Sequence, residues 1–517
     1  MDRLSSVTVD SAFRRLRNLH LEVIGILILA SLLYLFRLDF SPIWRDETFH
    51  IFFARLPPAD AARYVLKFQP YQALHCLMLY PWITAFGNSA FVVRLPSVVF
   101  AVLAVAALYW LGRILFDRPI ALTAAAMLSV NAFFLRYAQE ARAYSLITFL
   151  IICSWLFLIE CARRPSVVKA TAYAFISAAA PWGHFLVTAM YPAQLAALVI
   201  FIRPRGKTWR YLIPAGLTIG ISSAIIAWLI IHDDTGQSSW LRRWHSDLGY
   251  MALRFAGATF GHKPFMWAVR IIYAAGALAG ILQLIRPSSV SPKAQFAGLG
   301  CAFLAGAVPP ILVFCVSLIK PMFIDRYLLT SLPFAVLFVA AGLWAIRPPI
   351  VSVTLSVVVV MSAFAVDHAY YVEQPRDWAA WPDGIEYIQR YAQPADKVVL
   401  VPGYCRLEFD YNLEKSAHPA DFPEIEYPRW DGFMQYGGKF VADRAVAEFN
   451  PMLAAALNRT YSRLWVVSCV DRSFLDQGTA DLLTAVRLRY GECKMKTFHA
   501  LTIQQCISDK SAASTER

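Results

Sequence analysis

No Walker sequence and no glycine-rich dinucleotide motif stands where a nucleotide site would need one. No Asp-x-Asp signature lies in a segment that would face the cytosol. Nucleotide chemistry is thereby disfavoured. No Cys/His spacing resembles a structural zinc site, and no internal repeat of the kind common in transporters is visible. Charge is also scarce: Asp, Glu, Lys and Arg make up 16% of the 517 residues, against 58% hydrophobic. An ordinary soluble domain is about 45–50% apolar and about 25% charged. With a mean hydropathy of +0.49, the excess apolar surface must face lipid.

The formal charge of +13 could point to nucleic acid, but the positions of the basic residues argue against it. They recur in short runs between apolar stretches, as the positive-inside rule requires. Arg14, Arg15 and Arg17 precede the first stretch, in the manner of a signal peptide. That stretch runs long, into Tyr34–Arg37, with no small-residue cleavage pattern, so it reads as an uncleaved span. A span needs roughly 20 apolar residues, and about eleven stretches approach that length. They cover residues 21–36, 97–116, 120–134, 145–161, 170–182 and 186–202, then 212–231, 265–285, 296–319, 327–346 and 350–366. With residues 1–20 cytosolic, Arg113, Arg118, Arg163, Arg164, Lys169, Arg203, Arg205, Lys207, Arg210, Arg286, Lys293 and Arg347 all fall on one side. An error of one span would scramble this order. Residues 70–87 are apolar enough to span, but counting them would put Arg113 and Arg118 on the wrong side. They are therefore expected on the outer face, within a loop over 38–96 that holds two or three interfacial helices. Gly216/Gly220 and Gly276/Gly280 read as helix-packing pairs.

Residues 21–366 thus form a transmembrane domain, and 367–517 a small extracytoplasmic α/β domain of roughly 150 residues. Strands are predicted at 397–403, 463–469 and 497–506, with helical patterns near 385–391 and 480–488. Cys405, Cys469, Cys493 and Cys506 fall here, where disulfides are plausible. Cys405–Cys469 with Cys493–Cys506 is one of three pairings. The other cysteines, Cys153, Cys161, Cys301 and Cys315 among them, read as inert packing residues.

The same topology gathers polar residues on the outer side. Asp46 and Glu47 follow the first span in Trp44-Arg45-Asp46-Glu47. Residues 136–144 carry Glu140, Arg142 and Tyr144. His184 ends the fifth span, and Lys320, Asp325, Arg326 and Tyr327 lie before the tenth. A long loop adds His232, Asp233, Asp234, Arg242, Arg243, His245, His262 and Lys263. Charged groups near a bilayer are functional candidates by default. Moving a sugar from a lipid phosphate needs a base for the attacking hydroxyl, and one carboxylate can serve. It also needs cations for the phosphate, for which arginine's planar fork is suited. Each residue has a plainer reading: Asp46 paired with Arg45, Glu140 holding Arg142, arginines on lipid headgroups, and His184 as a polar helix end.

Trp44–Glu47, then Gly87–Ser97, Gln139–Ser145 and Asp325–Leu329 with Leu332-Pro333, resemble polytopic GT-C glycosyltransferases. These are relatives of the protein O-mannosyltransferases and the lipid A aminoarabinose transferases. The similarity runs over about residues 20–370 and is to the bacterial, family 39-like branch. It implies a polyprenyl-phosphate sugar donor, an extracytoplasmic active site and inversion at the anomeric carbon. Asp46 would be the base, Glu47 would orient or bind the acceptor, and Glu140 would be the second acid. Arg326 would bind the donor phosphate, with Arg142 and Lys320 as further cations. Tyr144, Tyr327 and His184 would contact substrate. Without an added carboxylate cluster, no metal or other cofactor is expected. The acceptor could be lipid A core, a cell-wall glycan, another lipid or a protein. A bacterial inner membrane is the expected home, with the N-terminus cytoplasmic and the C-terminus periplasmic. A lipid-linked-sugar flippase and a membrane scaffold are the alternatives.

Overall fold

The computed structural model describes residues 21–232, 247–259, 262–286, 293–373, 380–401, 403, 405–427, 461–469, 486, 488, 490 and 493–508. Arg14, Arg15 and Arg17, the loop residues from Asp233 to His245, and most of the helical pattern at 480–488 lie outside them.

The chain is a polytopic helical membrane protein. The first helix is α1 (Leu21–Leu35), and three shorter ones follow: α2 (Arg45–Arg55), α3 (Pro58–Phe68) and α4 (Ala73–Phe86). Next come α5 (Ala90–Leu115), α6 (Arg118–Ser129), α7 (Ala132–Ala138), α8 (Tyr144–Arg163) and α9 (Val167–Ala179). The bundle is completed by α10 (Met190–Ala197), α11 (Trp209–Ile231), α12 (Leu248–Phe255), α13 (Lys263–Ile285), α14 (Lys293–Ser317), α15 (Leu332–Leu343) and α16 (Pro349–Glu373). Each of the eleven expected spans is helical. Among the described residues eight are long and apolar enough to cross a membrane, or nine with α6 and α7 joined. α1 has 15 residues and α9 has 13. At 1.5 Å per residue each falls short of a hydrocarbon core about 30 Å thick.

Two boundaries differ from expectation for local reasons. α5 starts at Ala90 rather than near 97, because the Ser89 side chain accepts the Val92 amide and caps the helix there. The third span is bent by 61° between α6 and α7. Asn131 restarts the helix, accepting the Phe134 amide at 3.1 Å and donating to the Phe255 carbonyl at 2.9 Å.

The segment Asp325–Leu343 is the central span, 83% buried. α13 crosses it closely. A Cβ on Gly342 would lie 1.9 Å from the Gly276 carbonyl oxygen, so the expected packing role of Gly276/Gly280 is real. A Cβ on Gly216 or Gly220 would meet nothing within 4 Å, so that pair packs against none of the described residues. Their helix, α11, instead exposes Ile213, Leu217, Ile221 and Ile225, an apolar stripe at helical spacing.

The C-terminal domain holds α17 (Trp381–Tyr391), α18 (Cys405–Glu414) and strands β1 (Lys397–Val401), β2 (Glu424–Tyr427), β3 (Arg463–Ser468), β4 (Lys494–Phe498) and β5 (Leu501–Ile507). The strand expected at 497–506 is instead the turn and one arm of a hairpin. Thr497 pairs with Thr502 across His499-Ala500, and Ala500 has φ 49°. The sheet order is β2-β1-β3-β5-β4, with β1 parallel to β2 and β3. Cys405 bonds Cys469, and Cys493 bonds Cys506. The free Cys76, Cys161 and Cys301 are buried, Cys153 is half-buried and Cys315 is exposed.

The two faces of this sheet explain its sequence. Val398, Leu400, Trp465 and Val467 pack on Trp381, Ile385 and Phe409 of the domain's own helices. Val399, Val401, Leu464 and Val466 pack on Phe49, Phe53, Val65 and Ala73, which belong to α2, α3 and α4. Strands covered on both faces read as unbroken apolar runs.

Candidate active site

Three loops and the N-terminus of α2 meet at one end of the bundle. Asp46, in the first turn of α2, faces the arginines of two other segments. Arg142 Nη1 is 3.6 Å and Arg326 Nη2 3.9 Å from Asp46 Oδ2. Arg45 Nε is 3.9 Å from Oδ1. Burial pushes the Asp46 carboxyl up, but Arg142, Arg326 and Arg45 together outweigh it and hold the carboxyl below its usual range. Asp46 keeps 20% of its side chain accessible, so a ligand can reach it.

Glu47 is different. Its side chain is fully buried against Arg94, at 0% and 3% exposure. Oε1 accepts Arg94 Nε at 2.8 Å and the Ala141 amide at 2.7 Å. Oε2 accepts Arg94 Nη2 at 2.7 Å and the Trp44 amide at 3.3 Å. A carboxylate has about four acceptor positions, and all are used. Arg94 spends its remaining donors on the carbonyls of Leu38, Ser41 and Pro42. This pair therefore ties the 38–44 loop, α5 and the 139–143 loop together beneath Asp46. Arg94 lies in the Gly87–Ser97 motif, yet that motif alone gave it no role.

Glu140 is 6% exposed, with Arg136 Nε 3.7 Å from Oε1 and no hydrogen-bond partner at Oε2 among the described residues. Burial raises its carboxyl to about 7, against the pull of Arg136. His184 Nδ1 accepts the Leu186 amide at 3.3 Å, which leaves the ring proton on Nε2. Its ring stacks 4.5 Å from Tyr327 and 6.1 Å from Tyr144. Burial, Arg142 and Arg326 push it down to about 3, so it is neutral. Arg142 lies 5.6 Å from the Tyr144 ring, and Arg326 5.6 Å from the Tyr327 ring.

Seven of the nine expected residues, Asp46, Glu140, Arg142, Tyr144, His184, Arg326 and Tyr327, thus form one polar cluster with aromatic walls. Glu47 lies under it. Lys320 is exposed and joins none of its ion pairs. Asp325, next to Arg326, is held by Arg254 Nε at 2.6 Å. One turn beyond Asp46, His50 Nδ1 meets His75 Nδ1 at 2.6 Å, both rings buried, a contact with no signal in the sequence. Among the described residues, no group of three His, Cys, Asp or Glu could hold a metal.

The fold is similar to that of known structures. ArnT from Cupriavidus metallidurans in its apo state superimposes with a TM-score of 0.56 at 12% identity, over 93% of this chain and 97% of that one. The same protein bound to undecaprenyl phosphate gives 0.57 at 11% identity, over 94% and 98%. The chain has the GT-C glycosyltransferase fold. Within it, residues 77–232 match the family described as dolichyl-phosphate-mannose-protein mannosyltransferase. No curated protein matches the chain in sequence.

Proposed function

We propose that this GT-C protein transfers a sugar from a polyprenyl-phosphate donor to a hydroxyl acceptor, with inversion and with Asp46 as base. The observation that carries the reading is the Asp46 carboxylate set between Arg142 and Arg326 at 3.6 and 3.9 Å. One carboxylate facing two guanidinium groups, the buried Arg142 and the partly accessible Arg326, leaves surplus positive charge, which suits a phosphate. ArnT, of like fold, has been crystallised with undecaprenyl phosphate, which supports a lipid-phosphate ligand here.

In the step, the acceptor oxygen attacks the anomeric carbon while its proton passes to an Asp46 oxygen. The bond from that carbon to the phosphate oxygen breaks, and the electron pair leaves with the phosphate. Arg142 and Arg326 meet the charge that grows there. The arrangement couples the two events. As the phosphate draws on the arginines, their hold on Asp46 weakens and its proton affinity rises, at the moment the proton must be taken. Glu47 positions this machinery and does not touch substrate. Glu140, Tyr144, His184 and Tyr327 bound the sugar and acceptor side. The two arginines supply the charge in this scheme, with no metal. We place the cluster on the outer face of a bacterial inner membrane, with residues 38–96 at the lipid surface and residues 367–517 outside.

The test is mass spectrometry of polyprenyl-phosphate-linked sugars in host cells carrying wild-type or Asp46→Asn protein. One glycolipid should accumulate in the variant and name the donor. Unchanged lipids with a correctly inserted variant would favour the flippase or scaffold reading.

A further inference from the structure

Glu408 stands in the C-terminal domain, more than 350 residues from Asp46 in sequence, yet its carboxylate reaches the start of α2. It is 8% exposed and sits on α18. Its Oε2 accepts the Trp381 indole N–H at 2.7 Å, and the backbone amide of Arg45 donates to the same carboxylate. Arg45 and Asp46 are the first two residues of α2. The first amides of a helix have no partner within it. A side-chain oxygen at the cap position usually supplies one, but Trp44 has none to offer. Glu408 fills that role from another domain, and its charge also suits the positive end of the helix.

The rest of α18 is braced to hold it there. Tyr411 packs with Ile43, Ile51 and Ala141, and its hydroxyl donates to the Asn88 carbonyl at 3.0 Å. Lys415 Nζ donates to Asn88 Oδ1 at 2.7 Å, and Arg55 grips Glu414 at 2.8 Å. At the other end, Cys405 is bonded to Cys469, just past β3.

We propose that Glu408 is a positioning residue for Asp46, capping α2 from the C-terminal domain and setting how Asp46 points between Arg142 and Arg326. This rests on the reading of Asp46 as the base. The C-terminal domain is then a working part of the site, and its removal would leave the Arg45 amide at the start of α2 without this partner.

The experiment follows loss of polyprenyl-phosphate-linked sugar in host-cell membranes containing full-length protein, at saturating and at limiting donor. Glu408→Ala should lower kcat by up to about 10²-fold, as a displaced reacting group does, with little change in the donor KM. Glu408→Gln keeps an oxygen acceptor and should recover most of the rate. Trp381→Phe removes the other bond to Glu408 without touching α2, and should lower kcat far less. Wild-type kcat in Glu408→Ala, or an equal loss in Trp381→Phe, overturns the inference. If Asp46→Asn is inert while Glu408→Ala is normal, this inference alone falls. If Asp46→Asn still turns over, the base reading falls and takes this one with it.

Discussion

Replacing Glu47 by Gln changes one oxygen to an amide in the most deeply buried ion pair near the site. The wild-type carboxylate accepts four donors, from Arg94 twice, Ala141 and Trp44. The amide nitrogen would face two of those donors with N–H groups of its own. Arg94, 3% exposed, would keep a full charge with no counter-charge. Breaking one partner of a buried pair costs about 3–5 kcal/mol. The exposed Arg390–Glu386 pair, at 64% and 67% exposure, is the control. Removing Glu386 should change stability by no more than about 0.5 kcal/mol. Thermal unfolding in detergent and donor turnover should be measured together. Glu47→Gln should lower both the midpoint and the rate, because the loop that carries Arg142 is pinned to Asp46's neighbour. Glu47→Gln combined with Arg94→Gln should restore part of the stability by removing the stranded charge. A Glu47→Gln protein as stable as wild type would refute the reasoning.

Three other outcomes are expected. Arg326→Ala should raise the donor concentration for half-maximal rate about 10- to 100-fold, the worth of a charged hydrogen bond, whereas Lys320→Ala, remote from the cluster, should leave it unchanged; the reverse order would move the phosphate site. The unfolded chain releases the Glu140 proton near 4.5 and the folded chain near 7. Stability is therefore unaffected below 4.5 and falls as pH rises toward about 7, by at most about 3 kcal/mol. Glu140→Gln should flatten that slope in pH-dependent unfolding. Asp46→Asn should cost at least ~10²-fold in turnover and lower thermal stability modestly, since the pull of Arg142, Arg326 and Arg45 on the carboxylate outweighs its burial.

Hydropathy and the spacing of arginines were enough to place eleven helices, because lipid demands long apolar runs and the basic loops alternate with them. The strands around Val398–Val401 and Leu464–Val467 were legible as short unbroken apolar runs, although only the fold shows that α2, α3 and α4 cover their second face. Motif order brought Asp46, Arg142 and Arg326 forward as a set. It set Glu47 against the acceptor, whereas the fold buries it against Arg94. The two are adjacent and chemically alike, and helix geometry alone turns one toward the opening and the other into Arg94. Lys320, grouped with Arg326 as a further cation for the donor phosphate, is exposed in the fold. The hairpin at His499-Ala500 needed a backbone turn with positive φ that no glycine announces. Glu408 was beyond reach, since its contact with Arg45 joins residues from two domains and exists only once both have folded. Composition and periodicity record what each segment needs from its solvent. Which carboxylate receives a proton, and which merely holds an arginine, depends on directions that only packing supplies.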